Sequence, residues 1–446
     1  MTHCRHTMAA VGVSGVQITT SRLGTALIAL EVNCQRNRQV AAIRQALRLI
    51  FPIILLGSLA DLVDQAWLQR TGYFYQTLHV ATWVLQLRVM RQYLRLISAG
   101  TLGLAAILMA FAVSFYSVAP VTRQTSNRLM AGMTAVISLK FFNVSRPSVL
   151  ALRPIKWASA NLGLQGILMG ILIGLLVGNS YRWLLTKHET AGLTGPFLLM
   201  SGWLLGTTAL GLLWVTTQTV SLNAAFVSAI QWPFRLPHFI LGLLGYSGLT
   251  SLYAWLGVLE PITPSGQTVA TAQNLEAVLN HAGWQLPHPV TLHTVVDVYA
   301  NFGGTGMLLG LVLAILLVHG HTRHHAVAWL SLVPTLGNFG APIMVGLPVM
   351  LSPLLGIPFL LAPLVCISVS WLCLRLAWVP AVAYPLLTGT PGPFLAFLGT
   401  GGNWSALVLG LVNLALSTAI YYPFVKWHVQ AQAQIAGEVA DDDPRN

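Results

Sequence analysis

Three short runs in this chain combine polar side chains with backbone that can bend, and each suits recognition of a hydroxyl-rich solute. The first is Asp297 followed by Tyr299-Ala-Asn301-Phe-Gly-Gly-Thr-Gly306. A carboxylate there precedes a turn whose Gly303, Gly304 and Thr305 could aim backbone N–H groups at a ligand. It is not a phosphate loop, because the Lys-Ser/Thr ending is missing. The second run, Asn338-Phe-Gly340-Ala341-Pro342, continues to Gly346 and Pro348 inside a long apolar region. Each proline removes a backbone donor and clashes with the preceding turn, so no straight helix runs through it. The third, Gly401-Gly-Asn403-Trp404, sets an amide beside an aromatic face. Sugars need both: partners for their hydroxyls and an apolar surface for ring C–H groups. Asp297 also has a plain reading as a structural carboxylate at the head of a helix, and both readings stay open.

The other ionisable and reactive residues suggest less. Intramembrane carboxylates are costly and are functional hypotheses by default. Asp61 and Asp64, however, share a helix face at the far end of a span, and Glu260 abuts Pro261, so all three are expected to be interfacial anchors. His319, His321, His324 and His325 read as a solvated basic loop. Cys4, Cys34, Cys366 and Cys373 lack metal-ligand or disulfide spacing. With no nucleophile elbow and no His-Glu-x-x-His, neither a metal nor a cofactor is expected. Trp371, Trp378 and Trp427 fit membrane-interface anchors.

The elements that position these runs belong in a bilayer. Only 8% of residues are charged and 55% are hydrophobic, against about 25% charged in a typical soluble domain. A soluble enzyme is therefore excluded. A net charge of +12 would suggest nucleic-acid binding in a soluble protein. Here the basic residues flank apolar runs, as the positive-inside rule describes, so no nucleic-acid partner is expected. Arg5, Arg22, Arg36, Arg38, Arg44 and Arg48 precede the first span, which puts the N-terminus in the cytoplasm. His321 to His325 and the tail from Lys426 to Asp443 are expected on the same side. Residues 1–40 show neither a continuous apolar core nor a signal-peptide cleavage site.

Five parts follow: a cytoplasmic arm at 1–40, a first transmembrane half at 41–218, an interfacial connector at 219–238, a second half at 239–428, and a tail at 429–446. The amphipathic run from Arg36 to Leu49 is expected on the inner leaflet, with Phe51-Pro52 turning the chain into span 50–66. Further spans are expected at 97–118, 126–142, 159–178, 194–216, 239–258, 295–318, 355–378 and 404–424, with a broken segment at 330–352. Residues 262–290 read as a long polar loop. Gly163, Gly166, Gly170 and Gly174 form a small-residue stripe suited to close packing between subunits.

With these runs in view, the chain resembles the membrane subunit, enzyme IIC, of the sugar phosphotransferase system in its lactose/cellobiose/chitobiose branch. The likeness runs from about residue 36 to residue 428. It rests on Arg38 to Ser58, Gly303-Gly-Thr-Gly306, Phe339 to Val365, and Gly399 to Lys426. The resemblance implies an all-α polytopic fold of about ten transmembrane helices plus two re-entrant hairpins. It further implies a homodimer formed through the first half, a sugar site in the second, and bacterial plasma-membrane residence. Import would be coupled to phosphorylation by a separate IIB subunit, itself phosphorylated by IIA, because no Cys here has a IIB-like setting.

Two departures stand out against that family. Its Asn-x-Asn-Glu-Pro hairpin tip is matched by Asn338-Phe-Gly340-Ala341-Pro342, so Ala replaces the sugar-binding Glu. Its Gly-Ile-His-Gly run is matched by Gly245-Tyr-Ser247-Gly248, with Ser in place of His. A hydrogen bond to a charged group is worth roughly 1.5–3 kcal/mol, so these changes bear directly on affinity. The expected function is a disaccharide permease in which Asp297 replaces the lost carboxylate and Ser247 supplies a hydroxyl. The alternative is a IIC-like receptor or regulatory protein that does not transport.

Overall fold

A computed structural model describes residues 22–441, apart from 85, 146–153, 188–193, 218–227, 237, 260–267, 281–285 and 319–321. Glu260, His319, His321, Arg5 and Cys4 therefore lie outside the described residues. The described chain is helical, and its β-structure is confined to isolated bridges such as Gly72 with Thr388. The first half holds α1 (Arg22–Arg36), α2 (Arg38–Val63), α3 (Tyr73–Thr77), α4 (Leu87–Thr101), α5 (Ala105–Val118), α6 (Thr125–Phe142), α7 (Ile167–Lys187) and α8 (Thr194–Thr217). The second holds α9 (Phe239–Leu256), α10 (Thr268–Leu279), α11 (Leu308–Leu317), α12 (Thr322–Leu336), α13 (Ala341–Gly346), α14 (Pro353–Arg375), α15 (Gly392–Gly399) and α16 (Trp404–Asp441).

Apolar surface decides how these elements associate. In the first half α5 is central, against α2, α6 and α7; in the second, α16 packs on α11, α14 and α15. Helix α2 joins the halves, because it touches α4 and α5 on one side and α12 and α13 on the other. Its buried Leu47, Ile50 and Ile54 share one core with Leu309, Val312, Ile343 and Phe359. Among the described residues seven helices are long and apolar enough to cross a bilayer, compared with the ten spans expected. The protein is an integral membrane protein.

Several expectations are corrected. Phe51-Pro52 does not turn the chain, since α2 runs without a break from Arg38 through Pro52 to Val63. A proline forfeits one internal hydrogen bond, and packing of Leu47, Ile50 and Ile54 on both sides of it holds the helix together. The polar stretch 262–290 contains α10. The glycine stripe is used within the chain: a Cβ at Gly170 would lie 2.5 Å from the Ala106 carbonyl, and one at Gly174 2.8 Å from that of Ala110. These glycines let α7 approach α5 rather than offering a face to another subunit.

The described part of the basic arm, Arg22–Arg36, is a docked helix. Helix α1 packs on α14 and α16, and Gln432 Nε2 donates to Gln35 Oε1 at 3.1 Å. Helix α16 continues past the expected tail boundary at 429 to Asp441. His324 lies with its ring 5.7 Å from that of His428, and His325 Nε2 is 2.7 Å from the Val318 carbonyl, so neither is part of a free solvated loop. The three basic stretches thus gather at one end of the molecule.

Candidate substrate chamber

The apolar segment after Thr322 breaks where its composition demands. Helix α12 ends at Leu336, Asn338 adopts a left-handed φ of 71°, and α13 starts with Pro342 in its first turn. A proline is tolerated there because that N–H has no helical partner. Asn favours the left-handed region more than most residues, and here its side chain also fastens two loops. Asn338 Oδ1 accepts from Gly303 N at 2.9 Å, while its Nδ2 donates to the Thr390 carbonyl at 3.1 Å. The break is therefore held by complementary bonds to the glycine turn and to the 388–390 loop.

The glycine turn has a packing role as well. Gly303, Gly304 and Gly306 all have positive φ, and a Cβ on Gly306 would meet the Phe359 ring at 2.1 Å. Tyr421 Oη donates to the Gly306 carbonyl at 2.6 Å. The N–H groups of Gly303 and Gly304 are occupied, by Asn338 Oδ1 and by the Asn301 carbonyl at 3.2 Å. They are not presented to a ligand, contrary to the expectation from the glycine spacing.

A cavity of about 860 Å³ opens beside this break. Ser58, Asp61 and Gln65 contribute from the end of α2 and the single π-turn Asp64–Leu68 after it, while Arg95 and Ser98 contribute from α4. Asp297, Asn301, Asn338, Gly340, Ala341 and Thr388 close the other side. Small-molecule sites typically occupy about 300–1,000 Å³, so a disaccharide fits within its volume. Of the ten residues expected at the site, Asp297, Asn338, Gly340 and Ala341 line this one chamber, with Gly303 and Gly304 supporting its wall. Thr305 belongs to the same turn but not to the lining.

The remaining three sit elsewhere. Ser247 is buried in α9, outside the chamber lining. Asn403 lines a separate cavity of about 730 Å³ with Trp378 and Thr400. Its Oδ1 accepts from Ser405 N at 2.9 Å and Ala406 N at 3.4 Å, which starts α16 in the manner of an N-cap. Trp404 is 71% exposed and packs against Phe397.

The electrostatics of the chamber come mainly from residues expected to be interfacial anchors. Asp64 is buried, with Oδ1 accepting from Arg91 Nε at 3.1 Å and Oδ2 from Arg95 Nε at 3.2 Å. Asp61 faces a neutral partner, Gln65 Nε2 at 2.9 Å. Asp297 has His293 Nδ1 3.3 Å from its Oδ2. Arg91 and Arg95 fall outside the expected span, which begins at residue 97, whereas the helix starts at Leu87. Their four-residue spacing, which puts both on one helix face, was the available signal.

Irregular backbone at membrane depth is tolerated where it is buried in protein or lines a cavity, and a broken segment beside a polar cavity in a polytopic membrane protein is the arrangement of a transporter. Residues 44–363 match the family described as "Phosphotransferase system, EIIC", and the chain belongs to that family. It is 23% identical over 434 residues to the oligo-beta-mannoside-specific EIIC component of Bacillus subtilis (strain 168), covering 90% of this chain and 92% of that one. It is 36% identical over 129 residues to the cellobiose-specific EIIC component of Lactococcus lactis subsp. lactis (strain IL1403), covering 29% and 26%. A structural match to ChbC, the IIC component of the N,N'-diacetylchitobiose-specific system, has a TM-score of 0.42 at 22% identity and covers 93% of this chain and 99% of that one.

Proposed function

We propose that this protein is a sugar permease that carries a neutral β-linked disaccharide into a bacterium for phosphorylation by a separate IIB subunit, with IIA upstream. The observation that carries the reading is the polar chamber beside the break at 337–340, in a chain whose family is EIIC. Among the described residues the lining offers carboxylate, amide, hydroxyl and guanidinium groups and a single aromatic ring, Phe339. Recognition would therefore rest on hydrogen bonds to hydroxyls more than on ring stacking.

The arm, the His324–His325 turn and the end of α16 would lie in the cytoplasm, which is supported by their gathering at one end. Asp61 stands 23 residues beyond Arg38, the start of α2, so the chamber is about 34 Å along the helix from that end. A phosphoryl donor docked on the basic end could not reach a sugar there, so the chamber must move or reopen during transport. Two copies would associate through the first half, where α8 leaves Leu198, Leu205, Leu210 and Leu213 uncovered.

The test is binding and uptake. Purified full-length protein in nanodiscs should bind one of cellobiose, lactose, mannobiose or diacetylchitobiose. Proteoliposomes supplied with phosphorylated IIB should yield the corresponding sugar phosphate. Binding without any sugar phosphate would favour a receptor, and no binding to any β-linked disaccharide would overturn the permease reading.

A further inference from the structure

We propose that Asp61 is the specificity-determining carboxylate of the chamber, accepting hydrogen bonds from adjacent hydroxyls of a neutral sugar. This rests on the permease reading and identifies the group on which it turns.

Among the described residues three carboxylates lie in or beside the chamber, and their partners separate them. Asp64 is held by two guanidinium groups and by Gln69 Nε2 at 3.2 Å, so its lone pairs are committed inside the protein. Asp297 is drawn toward His293 on its own turn. Asp61 lines the cavity and accepts from Gln65 alone, through Oδ2. Among the described residues no side chain or backbone group donates to its Oδ1, and no cation lies within ion-pair distance.

A carboxylate at membrane depth without a compensating charge is expensive, and removing it from water without donors costs more still. The missing donors are what a sugar supplies. A pair of neighbouring hydroxyls can donate to the free oxygen of Asp61. Gln65, Ser58 and Ser98, which line the same wall, offer amide and hydroxyl groups to the rest of the ring. Anionic ligands are opposed by Asp61 and Asp297. Under the permease reading the donors are the hydroxyls of a neutral sugar.

The experiment measures equilibrium binding of the disaccharide panel to full-length protein in nanodiscs, for the wild type, Asp61→Asn, Asp297→Asn and Asp64→Asn, with thermal unfolding recorded for each. Asp61→Asn should unfold near the wild-type temperature yet bind the preferred sugar about 10- to 100-fold more weakly, as expected for loss of charge-assisted hydrogen bonds. Asp297→Asn should lose less. Monodeoxy analogues then test direct contact: the deoxy sugar most weakened against wild type should bind Asp61→Asn about as well as the parent sugar does. The proposal is overturned if Asp61→Asn binds with wild-type affinity, or if it binds weakly while every deoxy penalty persists. If the wild type binds no member of the panel, the permease reading itself fails, an outcome distinct from either.

Discussion

The two ends of α2 carry ionisable side chains and put them to different uses. Near its start, Arg44 is 7% exposed and donates through Nη1 to Glu31 Oε1 at 3.1 Å. Glu31 is fully buried and also accepts from Gln35, Ser352 and Leu354 N. It sits where α14 begins, at a helix N-terminus that favours negative charge. One carboxylate thereby joins the arm, α2 of the first half and α14 of the second. At the other end Asp61 meets an amide and an open cavity. Asp64, three residues on, repeats the first pattern with Arg91 and Arg95. A carboxylate saturated by protein partners holds the fold, and a carboxylate left with a neutral partner in a cavity is available to a ligand.

The largest effect is expected at the saturated end. Glu31→Gln keeps the shape but leaves the Arg44 guanidinium buried without a counter-charge, which typically costs about 3–5 kcal/mol. Thermal unfolding should shift down strongly, while sugar affinity of the folded fraction stays at the wild-type level. Replacing both partners, Glu31→Leu with Arg44→Met, should recover much of the loss, because well-packed apolar pairs often match buried ion pairs. A stable Glu31→Gln variant would break the comparison.

Asn338 lies between these extremes, since its bonds support the wall of the site. Asn338→Ala loses two hydrogen bonds and puts Ala at φ 71°, a combined cost of about 2–4 kcal/mol. Asn338→Gly tolerates the φ and should lose only the bonds, about 1–2 kcal/mol. Equal destabilisation by the two would show that the backbone conformation contributes nothing. Asp64→Asn should be milder, about 1 kcal/mol or less, because Arg95 is 60% exposed and Arg91 31%, and solvent screens both. Its cost should shrink further in high salt, and its sugar affinity should fall less than that of Asp61→Asn.

How much of this was legible in the sequence depended on whether the cause was local. Charge depletion marks the membrane, and the clustered Pro and Gly from Asn338 to Pro348 mark the break, because each acts where it stands. Asn338, Ala341 and Asp297, each legible in the sequence, line one cavity. Asp61 reads as an anchor in the sequence, because which carboxylate captures Arg91 and Arg95 is set by contacts 27 and 31 residues away from Asp64. Glu31 was passed over because the arm looks polar in isolation, and only docking onto α14 and α16 buries it. Asn403 and Trp404 offered a sugar-like combination whose Asn caps a helix instead.

Cys34 offers the gentlest probe of the saturated end. It lies on α1 near Glu31 and is half-buried. Burial, and after it the Glu31 charge, push its thiol above the usual range, while Arg44 pulls partly the other way. Alkylation proceeds through the thiolate, so labelling of Cys34 by iodoacetamide, read by peptide mass spectrometry, should be slow at neutral pH and climb as pH rises through its elevated pKa. Glu31→Gln removes the second cause of the rise, which should slide the profile to lower pH and leave the high-pH plateau unchanged. If the plateau itself increases, the variant has uncovered the thiol by loosening α1, and the effect is one of access rather than charge.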